Sequence, residues 1–186
     1  GIARRSEKGI ELRVHPTLIP AEELIANVNG VKNAVLVQAN AVGPTLYYGA
    51  GAGAGPTASA VVADVVDIVR DIIYTEDGAG TIPQLAFEAL SDLPILSSDE
   101  MTTGYYLRIN AEDQTGVLAD VTTILSRLGI GIDAIMQQPR LKDLIPIVIL
   151  TDPIQESKMN EAIAKIQALS FVHGEAVRIR LELLDN

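Results

Sequence analysis

Six successive segments between Tyr105 and Leu183 carry the patterns of strand, helix, strand, strand, helix and strand, and few folds accommodate that order. In the first, Tyr105, Leu107 and Ile109 alternate with Tyr106, Arg108 and Asn110, as expected of a sheet with one wet face. Val117, Leu118, Val121, Ile124, Leu125 and Leu128 then recur at helical spacing. Asp113 or Thr115 is placed to cap that helix, and Gly129 to end it. Strands are expected over Ile130 to Gln138 and Ile145 to Thr151, joined by a turn around Pro139 to Asp143. The second helix has Asp152 as its expected N-cap, Pro153 at its first position and Gln155 reaching back, with Met159, Ala162, Ile163, Ile166 and Leu169 on one face. The last strand, Ala176 to Leu183, is expected to turn Val177, Ile179, Leu181 and Leu183 inward and Arg178, Arg180 and Glu182 outward.

The order βαββαβ is the split-βαβ, ferredoxin-like plan. The N-terminal half reads differently. Strand-like runs occur at Ile10 to His15, Val31 to Ala39 and Leu46 to Tyr48, with a short helix at Ala21 to Val28. A longer helix runs from Thr57 to about Ile72. Its apolar residues Val61, Val62, Val65, Val66, Ile68 and Val69 cover more than one stripe, so it expects neighbours on more than one side. Residues 74–104 are richer in Asp, Ser, Thr, Pro and Gly and read as a connector with short apolar islands at Leu85 to Leu90 and Leu93 to Leu96.

With 14 Lys plus Arg against 24 Asp plus Glu, the net charge of −10 repels phosphate backbones and anionic lipid, which argues against a nucleic-acid partner. There is no cysteine, hence no disulfide framework and no thiolate chemistry. No apolar run reaches the roughly 18 residues of a membrane span. These features fit a cytoplasmic protein. The start, Gly1-Ile-Ala-Arg-Arg, has neither an initiating Met nor an apolar secretory core and reads as a cut end. His15 and His173 have no companion at metal-ligand spacing and read as structural, so no metal site is expected.

Two stretches carry chemistry. The loop Asn110-Ala-Glu-Asp113-Gln-Thr-Gly116-Val-Leu118 joins a strand to a helix N-terminus, where backbone N–H groups welcome a carboxylate; alternatively, Asp113 only caps and Gly116 only permits tight packing. Gly49-Ala-Gly51-Ala-Gly53-Ala-Gly55-Pro56-Thr57 also runs from strand to helix. The dinucleotide spacing Gly-x-Gly-x-x-Gly is not met, because the third position falls on Ala54 or Pro56. What remains is either a backbone that a flat or anionic ligand can approach closely or a tight packing joint.

Asp113-x-x-Gly-Val-Leu-Ala, followed by Leu128-Gly-Ile-x-Ile, Pro146-Ile-Val-Ile-Leu-Thr and a second amphipathic helix, resembles the ACT domain along residues 105–186. That resemblance implies a small effector, usually an amino acid, bound where two copies meet side by side. Gly9-Ile-Glu-Leu-Arg-Val-His-Pro-Thr-Leu-Ile-Pro20, Asn27-Val-Asn-Gly-Val-Lys-Asn-Ala34, Ala41-Val-Gly-Pro-Thr-Leu-Tyr-Tyr-Gly-Ala-Gly-Ala-Gly53 and Pro56-Thr-Ala-Ser-Ala-Val-Val-Ala-Asp-Val-Val-Asp67 are similar to bacterial homoserine dehydrogenases that end in an ACT domain.

The resemblance implies an α+β chain: residues 1–73 from the end of a catalytic and dimerisation domain with an antiparallel or mixed sheet, a connector at 74–104, and a regulatory ACT domain at 105–186. It implies an oxidoreductase reducing aspartate semialdehyde to homoserine with NADPH or NADH, in threonine, methionine and isoleucine biosynthesis. Gly53, with Gly51 and Thr57 beside it, would meet the nicotinamide end of the cofactor. The family's Rossmann domain and its catalytic Asp and Lys have no counterpart in this sequence, so no catalytic residue is expected here and the chain alone is expected to be inactive. Asp113, Gly116, Val117 and Leu118 would hold the effector, threonine, with Ile132 and Asp133 on the adjoining or a partner strand. The chain would form homo-oligomers, dimers or tetramers, through the catalytic region and ACT pairing. The competing reading is an ACT module that only joins subunits and binds no effector.

Overall fold

A computed structural model of the chain describes residues 1–74, 91–139 and 144–184. The apolar island at Leu85 to Leu90 and most of the turn around Pro139 to Asp143 lie outside the described residues. The described chain divides into two units, Gly1–Pro20 with Leu93–Asp185, and Ala21–Asp92.

In the first unit, β1 (Ile2–Ser6) and β2 (Gly9–Arg13) form an antiparallel hairpin, with Ile2 opposite Arg13 and Ser6 opposite Gly9. β1 escapes a search by pattern because only Ile2 in it is even half-buried. β2 is held from its other side, as Ile10 N–H donates to Pro94 O (2.8 Å) and Leu96 N–H to Ile10 O (2.9 Å). A Cβ at Gly9 would lie 2.2 Å from that Pro94 oxygen, so the approach requires glycine. β3 is the two-residue strand Thr17–Leu18.

The second unit contains a 3-10 turn at Leu24–Asn27 in place of the expected helix over 21–28. The hairpin β4 (Lys32–Ala39) and β5 (Gly43–Ala50) follows, then α1 (Ala54–Tyr74). β5 extends well beyond the Leu46 to Tyr48 core, and α1 begins three residues before Thr57. Along α1, Val61, Val62, Val65, Ile68, Ile72 and Ile73 all stand exposed. No helix among the described residues is long and apolar enough to cross a membrane.

Returning to the first unit, β6 (Thr102–Glu112), α2 (Val117–Arg127), β7 (Ile132–Gln137), β8 (Leu144–Thr151), the short β9 (Ile154–Gln155), α3 (Glu156–Gln167) and β10 (Val177–Leu181) realise the βαββαβ order. The sheet order is β3-β10-β6-β8-β7, antiparallel except where β3 runs parallel to β10. Tyr105, Leu107, Ile109 and Ala111 of β6 are fully buried, as the alternation requires, against Val121 and Leu125 of α2, Ile147 and Ile149 of β8, and Met159, Ala162 and Ile166 of α3. Each such aliphatic side chain withdrawn from water contributes about 1.5–3 kcal/mol, and this layer is the main source of the unit's stability.

Three expectations are corrected. α3 starts at Glu156 with Gln155 as N-cap, because Ile154 and Gln155 are drawn into pairing with Thr103 and Thr102, leaving Asp152 and Pro153 outside the helix. The N-cap of α2 is Gly116, in the left-handed region (φ +94°), and neither Asp113 nor Thr115 occupies that position. Gly129 does end α2 (φ +70°), its N–H bonding Ser126 O while Ile130 N–H bonds Leu125 O. The third correction concerns β10: Arg180 lies opposite buried Tyr105 and Arg178 opposite buried Leu107, so the arginines share the helix-covered face. Val177 and Leu183 are the exposed ones, at 36% and 52%. The inversion follows from Glu156 and Asn160 of α3, which supply partners for both guanidinium groups.

Candidate functional site

The end of β6 leads through Asp113, Gln114 and Thr115 into Gly116, which opens α2. Gln114 N–H donates to Glu112 O (3.0 Å) and Asp120 N–H to Gly116 O (2.9 Å). A Cβ on Gly116 would meet nothing within 4 Å, so glycine serves here through its positive φ and not through tight packing. The N-cap glycine supplies no side-chain cap, so the first-turn N–H groups of α2 and the positive end of its dipole face the loop. The Val117 side chain is buried and Leu118 packs against the core. Both therefore have only backbone to offer a ligand, whereas Asp113 is exposed.

Ile132 and Asp133 stand elsewhere. β6 and β7 are both antiparallel to β8 and so run the same way, which sets Ile132 beside the start of β6 and the loop at 113–116 beyond its end. α2 separates them by its 11 residues, about 16 Å at 1.5 Å per residue. Within one chain these residues do not form a single site. The pairing register slips between Ile132 and Ala134, leaving Asp133 as an exposed bulge. An open cleft of about 700 Å³ borders this end, lined in part by Thr122, Ser126, Arg127, Gly129 and Ile132.

The other wall of the loop carries a pair that no motif marks. His173 Nε2 lies 2.8 Å from Glu112 Oε1, both half-exposed, while Glu112 N–H donates to Phe171 O and His173 N–H to Asn110 O. These bonds fix the end of β6 to the segment between α3 and β10. The sole sequence signal was a histidine before Gly174.

The second candidate, on the other unit, is confined to one turn. Gly51 N–H donates to Val31 O (3.1 Å), and a Cβ at Gly51 would fall 1.4 Å from Asn33 Nδ2, so Asn33 fills the space that a side chain would need. Gly53 is in a glycine-favoured conformation (φ +127°), and Thr57 N–H donates to its carbonyl at 3.0 Å. Gly51, Gly53 and Thr57 are all exposed. Gly51 is thus a packing joint, while Gly53 leaves bare backbone at a helix start.

Two buried ionic groups complete the first unit. Glu156, 3% exposed, accepts from Tyr105 Oη (2.9 Å) and from Arg180 Nε (2.8 Å). Burial opposes ionisation of Glu156, but the hydrogen bonds from Arg180 and Tyr105, with the charges of Arg180 and Arg178, outweigh it and hold the carboxyl below its ordinary range. Burial first, and then Glu156, push the Tyr105 phenol upward. The second group joins Arg4, Glu11, Arg13 and Glu182.

The family profile Homoserine dehydrogenase matches residues 1–66, and the profile ACT domain matches residues 105–168. The chain is 56% identical over 189 aligned residues to a homoserine dehydrogenase of Pseudomonas aeruginosa, covering 100% of this chain and 43% of that protein. It is 48% identical over 187 residues to one of Neisseria gonorrhoeae, covering 99% of this chain and 42% of that one. The crystal structure of a homoserine dehydrogenase from Thiobacillus denitrificans superposes with a TM-score of 0.88 at 56% identity, covering 98% of this chain and 41% of the other. The chain therefore spans about two-fifths of the length of the relatives it matches.

Proposed function

The chain belongs to the homoserine dehydrogenase family and carries an ACT domain, and from that premise we propose that it is the regulatory portion of an enzyme reducing aspartate semialdehyde to homoserine, feedback-inhibited by threonine. Residues 1–73 contribute the end of the catalytic and dimerisation domain, 74–104 connect, and 105–186 sense. The enzyme works in the cytoplasm on the route to threonine, methionine and isoleucine.

The observation that carries the sensing role is the uncapped start of α2 at Gly116. An amino-acid carboxylate suits that end, where N–H groups converge without a competing cap. Asp113 lies on the same loop, suited to an ammonium group. Ile132 and Asp133 enter from a second copy: β3 covers one sheet edge and β7 forms the other, so a two-fold pairing along β7 sets the start of one β7 toward the loop of its neighbour. Threonine then stabilises one arrangement of the pair, and its difference in affinity for the two arrangements biases the catalytic half.

A nicotinamide cofactor, NADPH or NADH, supplies the hydride when bound. The glycine turn fits its approach: Gly53 is exposed bare backbone, and Gly51 and Thr57 flank it. This chain contributes close approach at that turn and no catalytic side chain, so the isolated chain is inactive.

The exposed strand β7 also favours a second reading, in which the module only joins subunits. Calorimetry with threonine, isoleucine, methionine and lysine decides between them. A sensor gives saturable heat with threonine; silence with all four leaves only assembly.

A further inference from the structure

Among the described residues of the first unit, Arg13 is the most deeply buried cation, its side chain 2% exposed. Glu11 Oε1 lies 2.9 Å from Arg13 Nε, but that pair is out of hydrogen-bonding alignment. Among the described residues, the hydrogen bond of the Arg13 guanidinium goes instead to Glu182 Oε2, at 2.5 Å from Nη2. The other Glu182 oxygen accepts from Arg4 Nη2. Glu182 directly follows β10, and its own N–H donates to Leu18 O (2.9 Å), continuing the pairing of Thr17 and Leu18 with Arg180 and Leu181. One carboxylate thus ties both strands of the β1–β2 hairpin to the last strand of the ACT sheet, and Leu18 leads within three residues into the second unit at Ala21.

We propose that Glu182 is a positioning residue that couples the ACT sheet to the N-terminal segment, so that β10 and the β1–β2 hairpin move as one body. Two arginines and two glutamates make the cluster neutral overall, which permits its burial as long as every member is held. Neutralising Glu182 leaves the cluster with one uncompensated positive charge beside the buried Arg13 guanidinium, and the least costly relief is for the hairpin to open toward water. A connection with two such states, docked and open, is what a regulatory sheet needs in order to bias a neighbouring segment. For its ligand-dependent part the coupling rests on the threonine reading above; its ligand-free part does not.

Amide hydrogen exchange on the 186-residue chain tests it. In the unsubstituted chain the β2 and β10 amides should open together with one common protection. In Glu182→Gln the β2 amides should exchange at least about tenfold faster while those of β8 hold their protection. Arg4→Ala, which removes only the half-exposed arm, should give the same pattern at smaller amplitude in a chain that folds. Threonine should alter β2 exchange in the unsubstituted chain and not in Glu182→Gln. Unchanged β2 exchange in both variants overturns the coupling, as does threonine that binds without reaching β2. Absence of threonine binding with a β2 response to Glu182→Gln would remove the effector reading and leave the coupling standing.

Discussion

Arg180 on β10 reaches across to the first residue of α3, its Nε donating to Glu156 Oε2 at 2.8 Å in a site where Glu156 is only 3% exposed. The pair fixes which face of the last strand is covered by helix, and it ties that strand to the start of α3. Its titration is measurable. The Glu156 carboxyl is held below its ordinary value of 4.5, so the folded state binds that proton less readily than the unfolded chain. The stabilisation is complete above pH 4.5 and is lost as pH falls through the depressed value. Chemical denaturation between pH 7 and pH 3 should show stability falling on the acid side, and Glu156→Gln should flatten that fall. An unchanged slope in the variant would contradict the assignment.

Tyr105 offers a spectroscopic check on the same site. Its phenol is raised by burial and by the Glu156 charge it donates to, so it should be among the last of the tyrosines to ionise in an absorbance titration. Tyr105→Phe should cost about 1–3 kcal/mol and remove that late component.

Gly116 and Gly129 both sit at positive φ with open space around the missing Cβ, so each change to alanine carries a similar backbone cost of about 1 kcal/mol. Their effects on ligand should differ. Gly116→Ala should weaken threonine binding strongly, whereas Gly129→Ala, at the far end of α2, should lower the melting temperature similarly and weaken threonine binding less. Equal effects of the two on threonine would show that Gly116 acts only as a cap.

Core and surface should separate sharply. Leu107→Ala, at a fully buried position, should lose roughly 2–5 kcal/mol in urea denaturation of the 186-residue chain. Val61→Ala, on the exposed face of α1, should fall within about 0.5 kcal/mol. A large loss at Val61 would mean that this helix is covered in solution.

The ACT sheet was legible because β6 alternates over its length: Tyr105, Leu107 and Ile109 are buried where Arg108 is exposed, and period 2 needs no knowledge of neighbours. The same reasoning failed on β10, since alternation gives a period and not a direction. Arg178 and Arg180 turn inward only because Glu156 and Asn160 of α3 await them. Asp152-Pro153 has the look of a helix start, and it lost to a tertiary pairing of Ile154 and Gln155 with β6 that local sequence does not announce. The loop around Gly116 was identified by motif, but its uncapped geometry was not, because a glycine cap leaves no side chain to read. The separation of Ile132 from that loop emerges only from strand directions.

That separation makes the shared site directly testable. Gly116→Glu and Asp133→Arg should each abolish threonine heat in the separate variants, the first by spoiling the loop and the second by spoiling the strand that a second copy brings to it. Mixing the two variants and titrating with threonine should restore part of the heat, because each mixed pair contains one site with both walls intact. No restoration on mixing, with pairs shown to exchange, would contradict a threonine site built from two copies of this chain.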